Sequence, residues 1–414
     1  MSPFCSRFQH FRKSGGLVLG LCLLALLTVG QSVQADYEVR LNAGSFARAQ
    51  SLIVFDCPDS IWNPELRFGG EVIPVQLGVD GRLYALIEGL NAGEVRNFKL
   101  ANRESPSVSN DGVWVARAGD QYRFELNGRS VVQYQAGPSE LPRNGIDPLF
   151  QRGGYLHPVW SPSGRVITDD YPANHLHHYG IWVSWTKTEF DSRQPNFWEM
   201  GSGKGTVEFV AVDHYWSGPV FGGLRSRHRF VDLTAPDPVV VLNETWELKV
   251  YALTLKDARF HVFDLRFAQS AATDKALKLP KYRYGGLGFR GHHDWDGEEN
   301  ASFLTALGED DRVKGHATRA PWCYVGGLVE GVKSGVAILC HPENFRAPQP
   351  MRIHPKEPFF CYAPAQIGDW EIAPGKPYDV AYRFVVFDGE PDQSVIDQVW
   401  KDYAEPVQVS VEKR

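Results

Sequence analysis

Four histidines and two aspartates fall within the 24 residues Tyr155–His178: His157, His175, His177 and His178, with Asp169 and Asp170 between them. The whole chain of 414 residues has 13 histidines, so an even spread would put fewer than one in such a stretch. Imidazoles and carboxylates are the groups that move protons or hold metal ions near neutral pH. Their company here is aromatic residues and prolines, YLHPVWSPSGRVITDDYPANHLHHYGIWVSW, which is the composition of a site and not of a solvated charge run.

If His175 to Thr186 is extended, residues of like parity share a face. Ile181, Val183 and Trp185 then read as core, and His175 and His177 lead into that side. His178 and Trp182 fall on the other, more polar face with Gly180, Ser184 and Thr186. An indole beside an imidazole on an open sheet face suits a sugar, because the ring stacks on C–H faces while the imidazole handles hydroxyls. On this reading His178 or His177 is a general acid/base, with Asp170 or Glu244 as its partner and Trp182 as sugar platform. His157, at the head of the segment, joins the catalytic candidates, and His175 and Trp198 join the substrate contacts. The spacing His-x-His also suits a metal, so the histidine clusters could hold a divalent ion, although no cofactor is implied by a defined motif. The competing structural use is a loop whose histidines satisfy backbone groups.

A second cluster, Gly291-His-His-Asp-Trp-Asp296, follows Arg290. Arg290 could neutralise a carboxylate or developing oxyanion, and His292 could contact substrate. His341-Pro-Glu-Asn and Met351-Arg-Ile-His354 are further polar loops, and Asn196-Phe-Trp-Glu-Met200 adds Trp198 and Glu199. His341 is counted among the substrate contacts. The sequence Ser161-Pro-Ser-Gly164 is a turn signal, and it is not a nucleophile elbow because G-x-S-x-G is absent.

The elements that must position these groups are β-strands. SLIVFDC at 51–57, VVVLNETWELKVYAL at 239–253, ARFHVFDLRFA at 258–268, SGVAILC at 334–340 and DVAYRFVVFDG at 379–389 carry β-branched and aromatic residues. Forty glycines and 27 prolines punctuate them, as short antiparallel strands require. One terminal helix is predicted in QSVIDQVWKDYAEP. Residues 36–115 read as a small N-terminal β-domain, with a polar linker over 102–112. A larger β-sandwich domain is expected over 120–405.

The N-terminus sets the compartment. Arg7, Arg12 and Lys13 precede the short apolar run Gly16–Val29, and Ala35 ends a cleavage-like stretch. Residues 1–35 therefore read as a signal peptide, and the protein is expected to be periplasmic or secreted, without membrane insertion after cleavage. Removing three basic side chains and no acid takes the formal net charge from −6 to −9. An acidic surface argues against nucleic acid as a partner. Cys57, Cys323, Cys340 and Cys361 remain after cleavage, in no zinc-motif spacing.

The run YLHP-W-SP-G, then YPANHLHHYGIW and NFWE, resembles the bacterial family labelled "PmoA family protein" or "methane oxygenase PmoA". Ala320-Pro-Trp322, HPENFRAP at 341–348 and YRFVVFDG at 382–389 agree with it. The resemblance spans roughly 120–390 and makes residues 36–115 the family's N-terminal extension. It implies an exported protein of the polysaccharide-degrading repertoire. The layered β pattern also resembles the galactose-mutarotase-like supersandwich of epimerases and polysaccharide lyases. Together these lead to an all-β, exported carbohydrate-active protein. The expected activity is lyase, epimerase or hydrolase chemistry on a sugar or polysaccharide. The alternatives are a non-catalytic glycan-binding protein and a metal-dependent oxidoreductase.

Overall fold

The computed structural model describes residues 37–103, 111–137, 140–253 and 260–414. The leader read as a signal peptide and most of the 102–112 linker lie outside them. Two eight-stranded antiparallel sheets face each other across the main core. The first runs, strand by strand, through Met351–Ile353, Phe359–Tyr362, Gly286–Arg290, Ile181–Ser184, Tyr155–Val159, Arg129–Gln135, Gln121–Leu126 and Val113–Ala118. The second runs through Gly205–Trp216, Phe221–Asp232, Val239–Tyr251, Phe260–Ala271, Tyr378–Asp388, Val332–Cys340, Trp322–Val329 and Ala301–Thr305. This is an all-β layered sandwich.

The sequence pattern explains the layers. Alternate residues such as Leu248, Val250, Phe263 and Leu265 in one sheet, and Ile181, Val183, Phe289 and Phe360 in the other, enter one shared core. Phe263 and Phe384 stack there at 4.8 Å. Burying such a side chain contributes about 2–3 kcal/mol each. The terminal helix spans Gln393–Ala404 and is capped by Asp392, whose side chain accepts from the Ser394 and Val395 N–H groups. It lays Ile396, Val399 and Tyr403 on the outside of the second sheet.

Two smaller sheets form the N-terminal part. One places Tyr37–Asn42 between Val95–Asn102 and the strand Gln408–Lys413, so the first and last described strands share a sheet. The strand Val113–Ala118 already belongs to the edge of the first large sheet. All four cysteines of the described residues are free thiols.

The histidine segment departs from the extended form expected over 175–186. Its strand is only Ile181–Ser184. Gly180 sits at φ 66°, and a Cβ added there would meet the Leu156 carbonyl oxygen at 2.3 Å. Only glycine fits that corner. Before it, residues 171–178 fold into a compact reversal, with His175 N bonded to Pro172 O and His178 N to His175 O. The vacated strand position is filled by Ile167–Asp170: Asp169 N bonds Arg290 O, Gly180 N bonds Asp169 O, and Arg290 N bonds Gly180 O. This knot of backbone bonds ties the first histidine segment to Arg290.

Candidate functional site

The two histidine–carboxylate segments meet on the outer face of the first sheet. Tyr155–Val159 points Tyr155 and His157 outward, and Arg290 ends the strand two positions across. The reversal 171–178 brings Asn174, His175 and His177 over this face. The loop before Phe359–Tyr362 adds His354 and Glu357.

Arg290 is the centre of the charge network and is fully buried. Its Nη2 donates to Asp296 Oδ1 at 2.5 Å and to Asn174 Oδ1 at 3.3 Å; its Nη1 donates to Glu357 Oε2 at 3.2 Å. Asn174 Nδ2 donates in turn to Glu357 Oε2 at 2.9 Å. The expectation that Arg290 clamps a substrate carboxylate is therefore corrected: the chain's own carboxylates already occupy its fork. Burial and the neighbouring Glu357 push the Asp296 carboxyl up to about 6, against the pull of Arg290. Burial also works on Glu357, yet Arg290 and the Asn174 hydrogen bond outweigh it and hold this carboxyl below its usual range. The two shifts belong to one hydrogen-bonded pair, in which Asp296 holds the shared proton and Glu357 accepts it.

His177 is the imidazole built for proton transfer. Its Nδ1 lies 3.1 Å from Glu199 Oε2, with the imidazole side chain 16% exposed. Burial first, and then His175 and Arg290, push its ring down to about 4. A neutral ring with Nδ1 turned toward Glu199 leaves Nε2 for a substrate proton. Burial raises the Glu199 carboxyl in turn.

The other histidines have different work. His157 contacts Thr168 Oγ1 through Nδ1 at 3.0 Å and Asp170 Oδ1 through Nε2 at 3.3 Å. Thr168 Oγ1 also accepts the Val159 N–H, and which of Thr168 and His157 Nδ1 donates to the other follows the ring's tautomer. Both ring nitrogens of His157 are engaged, and its catalytic assignment becomes a positioning one. Asp170 takes His157 on one oxygen and the Tyr155 hydroxyl, at 3.1 Å, on the other. It is likewise an anchor of the reversal and not a proton carrier.

His178, the first choice from the sequence, is 3% exposed and lies stacked between His175 and Phe359, each at 4.8 Å. Burial holds its ring well below the usual imidazole range. It carries the aromatic floor beneath His175 and His177 and cannot meet a substrate. Trp182 and Trp198 are 0% and 1% exposed and pack with Tyr155, Tyr171, Tyr179 and Phe359. Parity placed Trp182 on the correct side of its strand, but loops cover that side, so neither indole is a sugar platform.

Glu244 is elsewhere. Its strand places it between the two sheets, in cross-strand register with His228 and Gln269. Glu244 Oε2 lies 2.9 Å from His228 Nδ1, and Oε1 accepts from Gln269 Nε2 at 2.7 Å. His228 continues to the Tyr134 hydroxyl and Gln269 to Trp185, a buried chain that stitches the sandwich. Its pairing with a histidine of the first segment is thus corrected. His341 lies on the outer face of the second sheet, beside Tyr403, and does not join this site.

Among the described residues, one group brings three ligating atoms within 4.8 Å: His292, His293 and Asp294. His292 accepts the Asp294 N–H at Nδ1, 3.1 Å away, which leaves its other ring nitrogen protonated. The set then offers one exposed imidazole and one exposed carboxylate, a poor fit for a bound metal. His292 is half-buried and its role as a substrate contact is replaced by this cap on the turn 293–295.

Glu357 and Asn174 were not singled out in the sequence. Glu357 lies in His-Pro-Lys-Glu-Pro, a companion to the His-Pro-Glu-Asn loop, and that likeness is the signal that could have found it. Asn174 stands inside the histidine segment as an unremarked amide.

The lowered imidazoles carry a stability consequence. For His177 and His354, each pushed down to about 4, the unfolded chain binds a proton below about pH 6.5 while the folded chain does not. Stability from these groups is complete above about pH 6.5 and is lost as pH falls toward about 4, by roughly 3 kcal/mol per ring. The half-buried Glu199, with its raised carboxyl, opposes this in part. Urea midpoints measured across this range should fall steadily with acid, and His354→Gln should flatten the slope. An equal slope in the variant would remove His354 from the account.

A family model described as "Family of unknown function (DUF6807)" matches residues 121–401. No curated protein matches the chain. Among solved structures it is similar to an alpha-mannosidase from Enterococcus faecalis V583, at 9% identity and TM-score 0.47, covering 91% of this chain and 46% of that one. A protein in the Glycosyl Hydrolase Family 38 from Enterococcus faecalis is similar at 9% identity and TM-score 0.41, with 91% and 47% covered. The chain spans about half the length of these two structures.

Proposed function

We propose that this chain, which belongs to the DUF6807 family of unknown function, is an exported enzyme of general acid–base chemistry on a sugar that bears no carboxylate. One observation carries the proposal. Segments more than a hundred residues apart in sequence converge on one sheet face around Arg290, where His177 is set as a base and Asp296 as an acid. His177 Nε2 takes a proton from the substrate or from water, and the Asp296 carboxyl returns one to the departing or rearranging oxygen. Glu199 orients His177, and Asn174 with Glu357 fixes the Arg290 fork.

Substrate charge follows from the same network. Asp169, Asp296 and Glu357 lie around Arg290, whose two terminal nitrogens are taken by Asp296, Glu357 and Asn174 while its buried Nε has no partner, and the imidazoles are held neutral by burial. A uronate would enter with its charge unmatched. A hydroxyl-rich neutral ring meets acceptors and donors without breaking an ion pair. Polyuronate elimination is therefore the least supported of the sugar reactions.

The test is a product screen on neutral and acidic polysaccharides, read by mass spectrometry. A neutral glycan should be converted, with the gain of a water mass marking hydrolysis and an unchanged mass marking epimerisation. Saturable binding without product would replace the enzyme by a glycan-binding protein. Conversion of polyuronates alone would overturn the assigned substrate charge.

A further inference from the structure

On the outer face of the second sheet lie two adjoining hollows of about 410 and 250 Å³. They share Lys249, Tyr251, Asp264, His341 and Tyr403, so they form one space. Its walls come from the second sheet, the loop after Cys340, the terminal helix and the N-terminal strand Ser51–Asp56. Its size is that of a small-molecule site.

Six of the charged groups of the wall are paired with one another, Arg82 and Asp402 pair with Asp80 and Arg48 outside it, and Glu343 stands in no ion pair among the described residues. Lys249 reaches Glu247 at 2.6 Å, Arg266 reaches Asp379 at 2.6 Å, and Arg383 reaches Asp264 at 2.7 Å. Arg383 is also sandwiched by the Tyr251 and Tyr403 rings. Two lining residues carry a buried polar atom without a partner, Ser51 at the smaller hollow and Tyr403 at both. The Tyr403 hydroxyl is buried without a hydrogen-bond partner, on a residue that is 9% exposed and lines both hollows. A buried hydroxyl without a partner destabilises a fold, and such groups call for an explanation. Beside it the His341 ring packs edge-on at 4.8 Å and accepts the Glu343 N–H at Nδ1, which leaves Nε2–H as a donor.

We propose that this space binds a small, neutral, hydroxyl-rich ligand, a sugar or polyol, with the Tyr403 hydroxyl and His341 Nε2–H as its recognition groups. An anionic ligand would have to break an internal ion pair to gain its counter-charge, because every lining Lys and Arg is paired. Hydroxyls do not: each donates to a spare carboxylate lone pair and accepts a spare N–H. The apolar side of the smaller hollow, Leu52, Val54, Leu253 and Val399, offers a surface for the C–H face of a ring. The site lies on the sheet opposite to His177, so it is a second binding place and independent of the catalytic reading.

The experiment compares wild type, Tyr403→Phe and His341→Gln with methyl glucoside, methyl galactoside, methyl mannoside and glycerol as probes, by calorimetry and ligand-observed NMR. Glucuronate and glycine serve as charged controls. Wild type is expected to bind at least one neutral probe. Tyr403→Phe should weaken that binding about tenfold or more while its melting temperature stays equal or rises, because a buried unpartnered hydroxyl has gone. His341→Gln should weaken binding as well, and His177→Ala should leave it intact. Absence of binding by every neutral probe, preference for a charged control, or unchanged affinity in Tyr403→Phe would each overturn the proposal. Loss of the same binding in His177→Ala would move it to the other sheet and overturn it too.

Discussion

Replacing His177 by alanine lowers turnover on the responsive glycan by about 10²–10⁴-fold, the usual worth of a positioned acid or base. The side chain is 16% exposed and packs edge-on against His175 and His178, so its removal costs little core volume. The thermal midpoint should stay within a few degrees of wild type. Glu199→Gln keeps the shape of the orienting partner and removes its charge, so turnover falls less and the pH optimum moves. His178→Ala gives the opposite pattern: it opens the aromatic floor, and the loss appears first in stability. Turnover of His177→Ala within about tenfold of wild type would remove His177 as the base.

Arg290→Met is expected to destabilise the fold by about 3–5 kcal/mol, the range for removing one partner of a buried pair. The guanidinium is 0% exposed, and its departure leaves Asp296 and Glu357 facing each other around Asn174 without a cation. Asp296 is 37% exposed at its side chain, which lets water screen part of the repulsion and puts the loss toward the lower end. With the cation gone, the Glu357 carboxyl should rise from its lowered position. The double variant Arg290→Met with Glu357→Gln should recover part of the stability, because one buried charge is then removed. Urea midpoints at neutral pH read both effects. A loss below about 1 kcal/mol would show that the pairs behave as surface ones.

Much of this architecture is legible along the chain. The strands at 51–57, 239–253, 334–340 and 379–389 are visible because half-buried and fully buried strands leave alternating or continuous apolar runs. The helix from Gln393 is visible for the same reason, with a period of 3.6 in place of two. Parity also separated Ile181 and Val183 from Trp182 correctly. It misled on accessibility, since parity reports which side a residue takes and not what covers that side. The covering residues come from three separate segments, Tyr171 and Trp198 from loops and Phe359 from the start of the strand Phe359–Tyr362.

The sequence by itself determined the β-layered class and the concentration of imidazoles and carboxylates between Tyr155 and His178. These are properties of local pattern and composition. Only the tertiary structure decided which of those groups can act. His157 and His178 differ from His177 through Thr168, Asp170, Phe359 and Glu199, contacts set by strand register and loop closure. Glu244 found His228 because adjacent strands placed them opposite each other, sixteen residues apart. Glu357 reached Arg290 across 67 residues. Hydrogen-bond partners and solvation fix the proton affinity of an ionisable group, and both arise from chain segments that meet only on folding.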